Sequence, residues 1–214
     1  MMNGEKILLQ SLKGIQNIIF DLGNVIVNLN FDATIEGFRK LGLDEEVITM
    51  DQAYADPVFY ELETGQTSPD IFREKVRGIL NNGEVTDEQI DEAWCAMLLD
   101  VPAHRVRILQ ELGEKYNLYL LSNTNEIHIN YFHKKFRQAH NIEFSSLFKK
   151  DYYSHELKER KPDLTSYRKM VELAGIDPAE TMFIDDLEKN IRGAQRAGFS
   201  IFWLKDGLDI ANLF

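Results

Sequence analysis

Ile15-Gln16-Asn17-Ile18-Ile19-Phe20-Asp21-Leu22-Gly23-Asn24 is the stretch on which the fold turns. A short β-prone run ends in a carboxylate, and a glycine follows soon after. The pattern returns at Leu118-Tyr119-Leu120-Leu121, closed by Ser122, and at Met182-Phe183-Ile184, closed by Asp185-Asp186. Short apolar runs set between helical stretches mark buried parallel strands. In open α/β sheets the ligand sits outside the carboxyl ends of such strands. Strand ends carrying Asp, Ser and a pair of acids therefore predict one shared site. A fold by itself specifies no chemistry, so the chemistry rests on those side chains.

After the first run the periodicity changes. From about Phe31 to about Leu99 apolar residues recur at helical spacing and strand-like runs are few. Thr86-Asp87-Glu88-Gln89 predicts a capping box, with Ile90, Ala93, Trp94, Met97 and Leu98 as the apolar stripe behind it. Ser68-Pro69 predicts another helix start, with proline at the first helical position, where no hydrogen bond is lost. A helical block of this size exceeds an ordinary strand-to-helix connection. Residues 31–99 are therefore expected to form a helical cap inserted into a core made of residues 1–30 and 100–214. From Pro102 onward helix and strand alternate again. A helix through Val106, Leu109 and Leu112 ends at Gly113, and the Ser122 strand and a helix near residues 126–138 follow. A short strand near residues 150–154, a helix after Asp163 closed by Gly175, and a last strand at Ser200–Trp203 complete the pattern. Alternation of this kind predicts a doubly wound, Rossmann-like parallel sheet.

The sequence has 214 residues, which suits one core of roughly 100–200 residues with an addition. Its net charge of -11 lacks the basic footprint of a nucleic-acid or anionic-membrane binder. An acidic protein can still bind an anion where a cation and backbone amides reverse the local field. Cys95 is the single cysteine, so neither an internal disulfide nor a Cys-rich zinc site is expected. No apolar run nears the ~20 residues of a membrane span. The first residues, Met1-Met2-Asn3-Gly4-Glu5-Lys6, lack the basic-then-apolar pattern of a signal peptide. A soluble cytoplasmic protein is expected.

The chemistry sits at the strand ends. Asp21 can serve as a nucleophile, a metal ligand or a turn cap, and Gly23 lets the backbone approach a ligand closely. In Ser122-Asn123-Thr124-Asn125 a hydroxyl and exposed amides can hold phosphoryl oxygens, or Ser122 or Thr124 can cap the next helix. Lys161 is held extended by Pro162, and its ammonium would neutralise a phosphate and a nearby carboxylate. The rest of Lys158-Glu159-Arg160-Lys161, and the pair Lys149-Lys150, are expected to be solvated. Asp185 and Asp186 repel each other, and a hard oxygen-seeking cation such as Mg2+ would relieve that repulsion. The histidines do not form a zinc pattern: His128 and His133 are five apart, off the helical face that His-x-x-x-His ligation uses, and each is expected to be exposed or partly buried.

In order, the chain offers nucleophile, hydroxyl, lysine and acid pair. It resembles the haloacid dehalogenase (HAD) superfamily of phosphohydrolases. Phe20-Asp21-Leu22-Gly23-Asn24-Val25 is similar to the first family motif and Leu120-Leu121-Ser122-Asn123 to the second. Lys161-Pro162-Asp163 is similar to the third, and Phe183-Ile184-Asp185-Asp186 with Asn190 to the fourth. The helical insertion resembles a type-1 cap. Within the superfamily the chain looks most like the α-D-glucose-1-phosphate phosphatase-like branch, which also holds the phosphatase domain of soluble epoxide hydrolase. The resemblance implies that Asp21 attacks phosphorus and forms an aspartyl-phosphate. It implies Mg2+ held by Asp21, the Gly23 carbonyl and Asp186, with Asp185 as a ligand or through water. Leu22, Gly23, Ser122, Asn123 and Lys161 would hold the substrate phosphate, and Asn190 would orient the acid pair from behind. The implied partner is a small phosphorylated metabolite.

One position departs from the family pattern. Most of its phosphatases carry a second Asp two residues after the nucleophile, as general acid and base, and here that position is Gly23. Acid–base help is worth roughly 10²–10⁴-fold. Three readings follow: a substrate with a good leaving group, such as a sugar 1-phosphate; a proton from the cap, with Tyr60, Glu61 and Glu63 as candidates; or a slow or non-catalytic phosphate binder. A haloalkanoate dehalogenase, which needs no metal, is disfavoured by the intact acid pair. A two-component receiver domain would carry its acid pair on the first strand, not the last.

Overall fold

The computed structural model describes residues 12–44, 56–205 and 207–214. The N-terminal stretch 1–6 and residues 45–55 of the inserted block lie outside these. Five strands form one sheet: β1 (Asn17–Phe20), β2 (Asn117–Ser122), β3 (Lys150–Tyr153), β4 (Thr181–Asp185) and β5 (Ser200–Trp203). Their order is β3-β2-β1-β4-β5, and every pairing is parallel. β1 lies in the middle; the chain winds outward through β2 and β3, then returns to the other side of β1 for β4 and β5. This is the doubly wound arrangement predicted from the alternation. It places the strand-order reversal beside β1, where ligands of such sheets bind.

Alternation along each strand fills two cores. Ile18, Phe20, Leu118, Leu120, Met182 and Ile184 point into one, with Val106, Leu109 and Leu112 of α5 (Ala103–Gly113) and Ile127 and Phe132 of α6 (Glu126–His140). Ile19, Tyr119, Leu121 and Phe183 point into the other, with Tyr167 and Met170 of α8 (Leu164–Ala174) and Ile191 and Ala194 of α9 (Glu188–Arg196). A strand buried on both faces reads as a continuous apolar run, which is why these strands were visible.

Among the described residues, the block between β1 and α5 holds α1 (Phe31–Lys40), α2 (Pro57–Glu63), α3 (Pro69–Ile79) and α4 (Asp87–Cys95). Ser68 caps α3 with Pro69 following, and the Thr86–Gln89 capping box starts α4, both as expected. The stripe behind Thr86 differs from a single helix. α4 ends at Cys95, and Met97 and Leu98 belong to the returning segment. That segment has other partners: the Met97 N–H donates to Thr34 Oγ1 at 3.1 Å, and Leu98 bridges Leu29 in antiparallel fashion. The two ends of the inserted block thus meet, the Leu99 N–H donating to the Asn28 carbonyl at 3.0 Å. Among the described residues no helix is long and apolar enough to cross a membrane.

Candidate active site

Register brings the predicted strand ends together. Phe20 pairs with Leu120 on one side and Ile184 on the other. In a parallel ladder the next residues, Asp21, Leu121 and Asp185, are therefore level, and Ser122 and Asp186 stand one step beyond. Carboxylate oxygens of Asp21, Asp185 and Asp186 lie within 4.8 Å of one another. Lys161 arrives from the loop between α7 (Ser154–Leu157) and α8, and its fully buried ammonium bonds Asp21 Oδ1 and Asp185 Oδ2, each at 2.7 Å.

The acid pair splits into two environments. Asp185 ends β4 and is wholly buried. It accepts from Lys161 at 2.7 Å, from the Leu187 N–H at 2.9 Å and from Asn190 Nδ2 at 3.0 Å to each oxygen. With those lone pairs occupied, Asp185 holds Lys161 and Asn190 in place. Asp186 is half-buried and lines the cleft above the sheet, bonded by Asn24 Nδ2 at 3.3 Å. The indole N–H of Trp203 donates to its backbone carbonyl at 2.9 Å. Asn24 has a left-handed backbone, φ 53°, which asparagine tolerates better than most residues.

Electrostatics follow from this crowding. Burial pushes the Asp21 carboxyl from the ordinary 3.8 up to about 7; Lys161 pulls it down, and Asp185 and Asp186 push it up again. Asp186 is raised too, by burial first and Asp185 second. Burial would lower Lys161, but Asp185 and Asp21 outweigh it and hold the ammonium above its usual range. Three carboxylates facing one lysine leave excess negative charge, and a divalent cation with oxygen preference suits that donor set.

The remaining predicted residues fall around Asp21. The Leu22 N–H donates to Asp21 Oδ1 at 2.7 Å, so it serves the carboxylate directly. Lys161 and Leu22 both bond Oδ1, and no described residue bonds Oδ2. A Cβ built on Gly23 would lie 2.7 Å from Leu29 Cδ1, so a leucine fills the space a longer side chain would need. Ser122 is buried at the cleft floor. It is not a cap: Asn125 caps α6, accepting from the His128 N–H at 3.1 Å, and Ser154 takes the Thr124 N–H at 2.9 Å. The Asn123 side chain clamps Lys161, donating to its carbonyl at 2.8 Å and accepting from its N–H at 2.9 Å.

The cleft, of about 690 Å³, runs from Asp21, Gly23 and Ser122 up to Tyr60 and Glu63 of the inserted helices. Several of its features are absent from the sequence reading. Arg160 and Lys158 are not simply solvated. Arg160 pairs with Glu63 at 2.8 Å and lies 5.5 Å over the Tyr60 ring, and Lys158 donates to the Gly65 carbonyl at 2.8 Å. Both therefore tie the inserted block to the core. Glu61 does not line the cleft and pairs with Lys75 at 3.1 Å. His128 is buried, stacked on Trp94 at 4.6 Å and bonded to the Trp94 carbonyl at 3.0 Å. Burial lowers its pKa to about 4, so it is neutral at physiological pH. The partner sequences lie far from these residues along the chain, and only Asn24, inside the first motif, carried a local signal.

Comparison with known proteins places this geometry. The family model for haloacid dehalogenase-like hydrolases matches residues 18–204. The chain belongs to that family. It is 34% identical over 202 residues to the D-ribitol-5-phosphate phosphatase of Bacteroides thetaiotaomicron, covering 91% of this chain and 94% of the relative. A HAD family enzyme of the same organism, solved with magnesium and inorganic phosphate, superposes with a TM-score of 0.87 at 38% identity, covering 94% of this chain and 99% of that one. A HAD-like family hydrolase from Porphyromonas gingivalis gives 0.81 at 30% identity, covering 91% and 93%.

Proposed function

We propose that this protein is a Mg2+-dependent phosphatase of a small polyhydroxylated phosphate ester, with residues 31–99 as a cap over a HAD core. The observation that carries the reading is the buried Asp21–Lys161–Asp185 chain beside Asp186, with the acids at neighbouring strand ends and Lys161 reaching in from the loop before α8. The relative named for D-ribitol 5-phosphate supports the substrate class. Asp21 Oδ2 is the oxygen aimed at phosphorus. It forms the new P–O bond as the bond to the leaving oxygen breaks, and water then attacks phosphorus to release phosphate and regenerate Asp21. Lys161 and Ser122 balance charge on the phosphoryl oxygens, and Asn123, through its clamp, fixes where the lysine points. Asp21, the Gly23 carbonyl and Asp186 would hold Mg2+, with Asp185 behind them; when bound, the ion screens the approach of two anions.

Gly23 offers no proton to the leaving oxygen, so solvent supplies it, and esters of more acidic alcohols react faster. A sugar 1-phosphate meets that condition better than a chain-end phosphate. The deciding experiment is phosphate release from D-ribitol 5-phosphate, glucose 1-phosphate, glucose 6-phosphate and phenyl phosphate, with Mg2+ and with chelator. Release that needs Mg2+ and falls at least ~10³-fold in Asp21→Asn is expected. No release from any ester, or unchanged turnover in the variant, refutes the reading. Activity that survives the chelator favours metal-free chemistry on the same nucleophile.

A further inference from the structure

We propose that Glu63, braced by Arg160, is the specificity-determining group that reads hydroxyl groups on the substrate's neutral end. The inference deepens the phosphatase reading and rests on it for the placement of the phosphoryl group. Glu63 closes α2, and its side chain is only 10% exposed, yet it lines the same cleft as Asp21. A buried acid in an inserted helix is costly unless paired, and the Arg160 guanidinium at 2.8 Å provides the pair.

The pair has a chemical character. A carboxylate facing a guanidinium accepts hydrogen bonds. Arg160 carries several donors in a fixed fork, and Tyr60 beneath it adds a hydroxyl that both donates and accepts. Acceptor, donors and a two-way hydroxyl side by side match alcohol groups, each of which donates and accepts. Because Arg160 already faces an anion, its charge does not call for a second one on the ligand. A substrate with a carboxylate or second phosphate at that end would meet Glu63 as a like charge. The cleft is thus matched to an ester with one phosphoryl group and a neutral, hydroxyl-rich remainder. The placement is fixed from the core, since Lys158 and Arg160 hold Gly65 and Glu63 on either side of the helix end.

The probes are D-ribitol 5-phosphate and phenyl phosphate, which share the phosphoryl group and differ in hydroxyls. In Mg2+-containing buffer, Glu63→Gln should lower kcat/KM for the polyol ester roughly 10–100-fold, mainly through KM, as loss of hydrogen bonds to a charged group predicts. Phenyl phosphate turnover, and inhibition by inorganic phosphate, should stay within about threefold. Calorimetric binding of both esters to Asp21→Asn and to Asp21→Asn/Glu63→Gln gives the same comparison without turnover. Equal losses on both esters, or no loss on the polyol ester, overturn the inference. Selective loss of polyol binding with no phosphate release by the unsubstituted protein would leave the inference standing and remove the phosphatase reading.

Discussion

In metal-free buffer the site should make the protein less stable as pH rises, and Asp21 should be the source. Its carboxyl titrates near 3.8 when solvated and at about 7 in the folded protein. Below pH 3.8 both states hold the proton. Between 3.8 and 7 only the folded state holds it, so stability from this group is greatest in acid and declines until pH passes 7. One pKa unit corresponds to about 1.4 kcal/mol, so the interval from pH 5 to pH 8 costs roughly 2–3 kcal/mol. Against a typical domain stability of about 5–15 kcal/mol this is measurable. Asn at position 21 has no such proton, while Asp186 and Lys161 titrate in both proteins and largely cancel in the difference. Urea unfolding of the unsubstituted protein and Asp21→Asn at pH 5, 6, 7 and 8 in chelator is the assay. The advantage of the variant should widen by roughly 2–3 kcal/mol over that range. Mg2+ at pH 8 should close the gap, since the ion favours ionised carboxylates. Parallel stability curves for the two proteins would refute the reasoning.

Trp203→Phe removes the indole bond to the Asp186 carbonyl; the Mg2+ concentration for half-maximal activity should rise severalfold with little change in kcat, read from a Mg2+ titration. Gly65 sits at φ 61°, and a Cβ there would come within 2.2 Å of the His155 carbonyl. Gly65→Ala should therefore cost about 2 kcal/mol or more in thermal unfolding. Gly23→Asp with Leu29→Ala clears the space that Leu29 fills and should raise turnover of alkyl over aryl phosphates by about 10²-fold, within the range for general acid–base help.

What the sequence made legible was whatever repeats locally. The strand runs were readable because each is apolar on both faces, and Ser68-Pro69 and Thr86–Gln89 because caps act over three residues. Asp21, Ser122 and the acid pair were readable because a parallel register delivers strand ends to one edge, and Lys161 because Pro162 follows it in a short motif. The roles of Lys158 and Arg160 were hidden because their partners, Gly65 and Glu63, are distant in sequence and lie in another layer. A charge cluster also defaults to solvent. His128 was misplaced because nothing near it in sequence announces the Trp94 ring on which it stacks. The split between Asp185 and Asp186 needed the end of β4, which places one inside and the other above.

Lys158, Arg160 and Lys161 are near neighbours on one short loop, yet two of them grasp the roof and one serves the floor. Any tilt of the roof must pull on the peptide that carries the floor's ammonium. The two-point grip of Asn123 on that peptide acts as a mechanical stop. Changes in the lining of the roof can therefore leave the charges beneath in register.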